Sequence, residues 1–151
     1  MKREQGFSLI ELLVVFTIIG VIAALAIPNL RKARQYSEAA SAVQSLRTIT
    51  TAEHLFMKSY KRYGTLLELA PEGTIDPALG LGQKSGYSFI LTVIPKVPPA
   101  PGVPGVEERF TCTATPLTLG PDFDHFFVDN SNVIRYETGA PANAASPPIP
   151  R

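Results

Sequence analysis

The most prominent feature of the sequence is an apolar segment near its beginning. From Phe7 to Leu30 nearly every residue is apolar, and Glu11 is the only charged one. A helix of about 24 residues is about 36 Å long, enough to cross a bilayer core of about 30 Å. Basic residues flank both ends of the segment, so positive charge alone does not fix its orientation.

Beyond Pro28 the pattern becomes amphipathic. Apolar residues recur at three- and four-residue steps, at Val43, Leu46, Ile49, Phe56 and Tyr60. The polar positions between them are Glu38, Gln44, Arg47, Glu53 and Lys58. We predict one helix from about Phe7 to Tyr60, roughly 80 Å long at about 1.5 Å per residue. Its first half needs lipid or other helices around it, and its second half needs a globular layer on one face.

The remainder of the chain predicts a small sheet. Gly64 and Pro71 end the helix and open a loop, and residues 95–106 contain too many prolines for a central strand. Alternating and β-branched residues predict strands at 87–94, 108–115, 125–129 and 133–137. The fold class is therefore α+β, with the long N-terminal helix packed against about four antiparallel strands. The Ala- and Pro-rich residues 139–151 are expected to be disordered.

Composition and charge narrow the class of protein. A length of 151 residues suits one domain. The net charge is +1 and there is no long block of like charges, so no specific nucleic-acid partner is indicated. Cys112 is the only cysteine, which excludes an intramolecular disulfide and a cysteine-built zinc site.

Glu11 requires an explanation, because an ionisable group inside a spanning helix is costly and suggests a function. It lies one helical turn after Phe7, on the same face. Cleavage after Gly6 would give Phe7 a free ammonium group that could pair with this carboxylate, within one chain or between neighbours. Such a pair would reduce the cost of the buried charge. Alternatively, Glu11 simply reaches water from the end of the helix.

The string from Gly6 to Leu13, Gly-Phe-Ser-Leu-Ile-Glu-Leu-Leu, resembles the class III signal of type IV pilins and pseudopilins. That signal has a short basic leader ending in glycine, then an aromatic residue and, at a fixed offset, a glutamate. Pro28 also matches a proline that these helices carry. The resemblance implies that a prepilin peptidase cuts between Gly6 and Phe7 and methylates the new amine of Phe7. It implies that Glu11 neutralises the amine of an adjacent subunit during assembly.

The same resemblance implies a domain organisation and partners. Residues 1–6 would be the leader peptide, 7–30 the transmembrane and assembly segment, and 31–138 the globular pilin domain. The precursor would cross the bacterial inner membrane once and then join an extracellular pilus or fimbrium. Its partners would be the membrane, the prepilin peptidase, the inner-membrane pilus assembly platform and other copies of itself in a helical homopolymer.

Gly20 and Pro28 make one part of the apolar helix easy to unwind. Proline removes a backbone donor and clashes with the preceding turn, and glycine is a weak helix former. The resemblance suggests that this stretch loosens on assembly. A simple kink explains the same residues equally well.

Other candidate chemistry has a structural explanation. Asp122, Asp124 and His125 lie together, but they follow Pro121 where turn residues are expected. His54 stands alone and is expected on the surface. The sequence contains no nucleophile motif, phosphate-binding glycine loop or zinc pattern, so we expect neither enzyme activity nor a metal or other cofactor.

These observations favour a structural subunit of a type IV pilus-like surface filament, with adhesion, motility or DNA uptake as properties of the whole fibre. One alternative is a pseudopilin of a type II secretion system. A second is a signal-anchored membrane protein with a small ligand-binding domain. The second alternative predicts no cleavage at Gly6 and tolerance of Glu11→Val.

Overall fold

A computed structural model describes residues 7–99, 101, 105–118 and 120–150. The backbone contacts divide the chain into two units, with the boundary between Ser37 and Glu38. One helix, α1, runs from Leu9 to Tyr60 and continues through Pro28. The predicted long helix is therefore confirmed, although it begins at Leu9 rather than at Phe7. The second unit begins at Glu38; the globular pilin domain at 31–138 stays a prediction.

Two short helices follow α1 in the segment that was predicted to be a loop. They are α2, Leu66–Leu69, and α3, Pro77–Gly80. The Asp76 side chain accepts a hydrogen bond from the backbone of Leu79, and Pro77 occupies the first helical position of α3. A capping carboxylate followed by proline favours a helix start. Helices of one turn are too short to produce a hydrophobic period, which is why the pattern missed them.

The sheet has five strands, connected in sequence order, and every neighbouring pair is antiparallel. The four predicted strands are confirmed, and a fifth of only two residues precedes them. The turn into β2 uses Ser85 and Gly86, both with positive φ. The strands are β1 Gln83–Lys84, β2 Tyr87–Ile94, β3 Arg109–Pro116, β4 Asp124–Asp129 and β5 Arg135–Thr138.

The core lies between the second part of α1 and one face of the sheet. In β3, Phe110, Cys112 and Ala114 are buried and the residues between them are not, as the alternation predicted. The free thiol of Cys112 is fully buried as a small core side chain. The core cluster from α1 consists of Ala42, Leu46, Ile49, Ala52 and Phe56.

Residues 139–150 correct the prediction of a disordered tail. The backbone N–H of Tyr136 donates to the carbonyl of Pro147, and that of Ile149 donates to the carbonyl of Ile134, both at 3.0 Å. Ala142 and Ser146 are buried. The open edge of β5 offers backbone groups that need partners, and prolines, which lack a donor, still supply carbonyl acceptors. Tertiary contacts therefore order a segment whose composition favours disorder; Arg151 lies outside the described residues.

Candidate assembly site

In the described part of the first unit, the segment 9–30 is almost wholly apolar and buries no side chain. None of the described residues before Ala42 is buried, and the exposed fraction reaches 82% at Leu9. An 18-residue window of α1 has a mean hydropathy of 2.8 and no buried residue. Of the helices described, α1 is the one long and apolar enough to cross a membrane. Since apolar surface of this extent is unfavourable in water, lipid or other protein must cover it.

Glu11 lies in the first turn of this helix. Its Oε2 accepts a hydrogen bond of 3.4 Å from the backbone N–H of Ser8, and both groups are exposed. A carboxylate at this place interacts favourably with the positive end of the helix dipole. Phe7, which precedes the helix, has a side chain that is 76% exposed. The structure thus places Phe7 and Glu11 at one helix end, and Gly6 lies outside the described residues.

Gly20 and Pro28 are both inside α1 and do not interrupt it. Apart from the adjacent residues and the backbone of α1 itself, no described atom lies within 4 Å of the position that a Cβ on Gly20 would occupy. No contact among the described residues therefore requires glycine at this position for close packing. Whether the segment unwinds during assembly remains a prediction.

The candidate residues Asp124 and His125 have structural surroundings. The Asp124 carboxylate accepts from the Thr138 hydroxyl at 2.6 Å, and its backbone carbonyl accepts from the Tyr87 hydroxyl at 2.9 Å. Burial of His125 in β4 lowers its pKa, against the opposing effect of Asp124. Within the described ranges, no group of three acidic, histidine or cysteine side chains could hold a metal ion.

His54 is exposed as predicted but is not isolated. Its Nε2 lies 2.8 Å from Oδ1 of Asn132, and its ring meets the ring of Phe110 edge-on with centroids 6.4 Å apart. This contact ties α1 to the turn between β4 and β5. Hydrogen bonding and ring packing account for the residue without any catalytic role.

Sequence reasoning missed Glu53, which was assigned to the polar positions of the helix but is 0% exposed. Its Oε2 accepts from the backbone N–H of Gly64 at 2.9 Å. A signal was present: Leu46, Ile49, Glu53 and Phe56 follow steps of three and four residues, so Glu53 occupies a core position of the repeat. Because its side chain is charged, the residue was counted among the polar positions of the helix rather than among the core positions.

The comparisons with known proteins agree with this geometry. Residues 1–27 match the family model described as the prokaryotic N-terminal methylation motif. This range contains Gly6, Phe7 and Glu11 and most of the exposed apolar segment. The match therefore covers the part of the chain in which the assembly residues were predicted.

The curated relatives extend the similarity into the globular unit. The chain is 33% identical over 109 residues to the type IV major pilin protein PilA of Myxococcus xanthus (strain DK1622), covering 70% of this chain and 50% of the relative. It is 30% identical over 89 residues to the type II secretion system core protein G of Escherichia coli (strain K12), covering 56% of this chain and 61% of the relative. Over 52 residues it is 40% identical to a fimbrial protein of Pseudomonas aeruginosa, covering 34% of each.

The chain thus spans about half the length of the first of these relatives and somewhat more of the second. No solved structure gives a significant match. The N-terminal motif, the α+β architecture and these relatives nevertheless agree with one another. The chain belongs to the family of type IV pilins and pseudopilins.

Proposed function

We propose that this protein is a structural subunit of a type IV pilus-like surface filament, without enzyme activity. The observation that carries the proposal is the uncovered apolar helix with one carboxylate in its first turn, inside a methylation motif. Cleavage after Gly6 and N-methylation of Phe7 would produce the mature subunit. The matches to a major pilin and to fimbrial proteins support a filament as the product.

Polymerisation would use the segment 7–30. Once the segment has left the membrane, packing the apolar side chains of many subunits against one another keeps them out of water, and at about 25 cal/mol per Å² this supplies the cohesion of the fibre. A nonspecific apolar contact does not define a register. The amine of Phe7 paired with Glu11 of a neighbouring subunit would define it, because an unpaired charge in such a fibre is strongly unfavourable.

The partners follow from this route. The precursor would be held in the bacterial inner membrane by α1, where a prepilin peptidase would process it. An assembly platform in the same membrane would then extract it into an extracellular fibre. Gly20 and Pro28 would let the helix loosen during this transfer, since both weaken the backbone hydrogen-bond ladder.

A pseudopilin of a type II secretion system is the second candidate function. The similarity to type II secretion core proteins G of several bacteria favours it. The processing and the helix-mediated assembly would be the same, but the fibre would remain in the periplasm. The position of the fibre therefore separates the two functions.

The first experiment is an intact-mass and N-terminal analysis of protein sheared from the surface of its native cells. We expect a filamentous fraction whose chain begins at methylated Phe7. A processed chain found only in the membrane fraction would support the pseudopilin. An unprocessed chain beginning at Met1 in mature cells would contradict both and leave a signal-anchored membrane protein.

A further inference from the structure

The turn that follows α1, residues 61–65, is held by three carboxylates from three different parts of the chain. Three consecutive backbone N–H groups each donate to a separate glutamate. The acceptors come from α1, from α2 and from the residue before β3. The pairs are Tyr63 with Glu108 at 3.1 Å, Gly64 with Glu53 at 2.9 Å, and Thr65 with Glu68 at 2.8 Å. We call this arrangement the carboxylate turn.

The three carboxylates differ in their access to water and to positive charge. Glu68 is partly exposed and forms an ion pair with Arg62, which also lies over the Phe56 ring at 5.2 Å. Glu108 is half-buried. Glu53 is fully buried, and its Oε1 has no hydrogen-bond partner among the described residues. The carboxylate with the least access to solvent thus also has no cation in contact with it within the described ranges.

We propose that Glu53 is a protonation-dependent latch, which holds the carboxylate turn against α1 as a neutral acid and loosens the globular unit when it ionises. A buried charge without a counter-ion is much more costly than a buried neutral acid. When the proton leaves, the charge must remain in the core near Glu108 and Glu68 or gain water. The contact at stake is the one between Glu53 and Gly64, which packs tightly on this end of α1: a Cβ on Gly64 would lie 3.1 Å from the Phe56 ring.

The surroundings of Glu53 have opposing effects on its ionisation. Burial raises its pKa from 4.5 to about 7, and Glu108 and Glu68 act in the same direction. The N–H of Gly64 and the charge of Arg62 act in the opposite direction. The two other titratable groups nearby are the hydroxyl of Tyr63 and the thiol of Cys112, and burial together with Glu53 raises the pKa of both.

The sign of the pH dependence follows from these values. An unfolded chain releases the Glu53 proton near 4.5, whereas the folded chain keeps it until about 7. The stability that the protonated Glu53 side chain gives to the folded state is therefore complete below pH 4.5, and it is lost as the pH rises to about 7. His125 acts in the opposite direction, because burial lowers its pKa and its stabilising contribution grows as the pH rises. A comparison between variants separates the two effects.

The test is denaturant unfolding of the full chain in detergent at pH 5 and at pH 8, with near-ultraviolet circular dichroism as the signal for folded chain. From pH 5 to pH 8, we expect the ratio of folded to unfolded chain to fall in the wild type. This fall should exceed the one in Glu53→Gln by a factor on the order of 100. Glu107→Gln is the matched control, since Glu107 is 84% exposed in its side chain and should leave the wild-type slope unchanged. Equal slopes in the wild type and Glu53→Gln would overturn the proposal.

A second measurement does not depend on whether the variant folds. The side-chain carboxyl carbon of Glu53 and the amide of Gly64 can be followed by NMR in the labelled wild-type chain from pH 4 to pH 9. We expect both signals to titrate together near pH 7. A midpoint near the ordinary value of 4.5 would refute the latch. Neither result would affect the proposed filament function, which rests on the first unit.

Discussion

The two units of this chain use one helix in opposite ways. Before Ser37, α1 buries none of its described side chains, although nearly all of those up to Leu30 are apolar. After Glu38, the same helix buries a regular stripe against the sheet. The difference shows that hydrophobicity alone does not determine burial within a chain. The first unit has an apolar surface that no described residue buries, whereas the second has both an apolar stripe and a sheet that covers it.

The two units also differ in the surroundings of one glutamate in each, Glu11 in the first and Glu53 in the second. Glu11 is exposed, and its carboxylate accepts a hydrogen bond from the N–H of Ser8 at the same helix end. Glu53 is enclosed by the carboxylate turn and has one oxygen without a hydrogen bond. We infer that the Glu11 carboxylate pairs with a group from another chain, whereas the Glu53 carboxyl changes its protonation state inside the folded unit.

The largest expected effect is that of Glu11→Val on assembly. If the carboxylate pairs with the Phe7 amine of a neighbour, its removal leaves an unpaired charge and costs about 3–5 kcal/mol per contact. We expect sheared filaments to decrease by more than tenfold while the precursor still reaches the membrane. Electron microscopy and immunoblotting of the sheared and membrane fractions measure both.

Ser8→Ala is the control for this experiment, because it changes the same turn of the helix without removing a charge. Its filament yield should stay near that of the wild type. Normal filaments from Glu11→Val would show that the carboxylate merely reaches water, and the register would then need another source.

The next largest effect is expected when a leucine is replaced by alanine in one unit or in the other. Leu46→Ala removes a fully buried side chain and should lower the free energy of unfolding of the globular unit by about 2–5 kcal/mol. Leu25→Ala truncates a side chain that is 68% exposed and should leave this free energy unchanged. Denaturant titration of the full chain in detergent measures both. Similar losses for the two variants would contradict the division into independent units.

The smallest expected effect comes from a pair of glycines. Gly86 has a φ of +80°, and a Cβ there would lie 3.0 Å from the Glu38 carboxylate. Gly86→Ala should therefore destabilise the globular unit by about 1–2 kcal/mol, as measured by thermal unfolding.

Gly20→Ala is the matched substitution in the first unit, where nothing restricts the added methyl group. It should strengthen the helix by about 1 kcal/mol and leave the melting temperature of the globular unit unchanged. If loosening near Gly20 assists assembly, the same variant should also form filaments more slowly. Unchanged assembly kinetics would favour a simple kink at this position.

The sequence predicted the elements whose residues follow a sustained period. The apolar segment, the amphipathic half of α1 and the alternation of Phe110, Cys112 and Ala114 all produce a pattern that is independent of the rest of the fold. The processing motif could be found for a similar reason, since its residues lie within six positions of one another in the sequence. Its roles at Gly6, Phe7 and Glu11 remain predictions.

The sequence by itself therefore determined the long helix, its division into an apolar and an amphipathic half, and the main strands. Only the tertiary structure decided the burial of Glu53, the pairing of β1 and the ordered conformation of residues 139–150. The physical reason is the same in each case. A buried carboxylate, a two-residue strand and a proline-rich tail are unfavourable alone, and they become stable through hydrogen bonds to other elements of the fold.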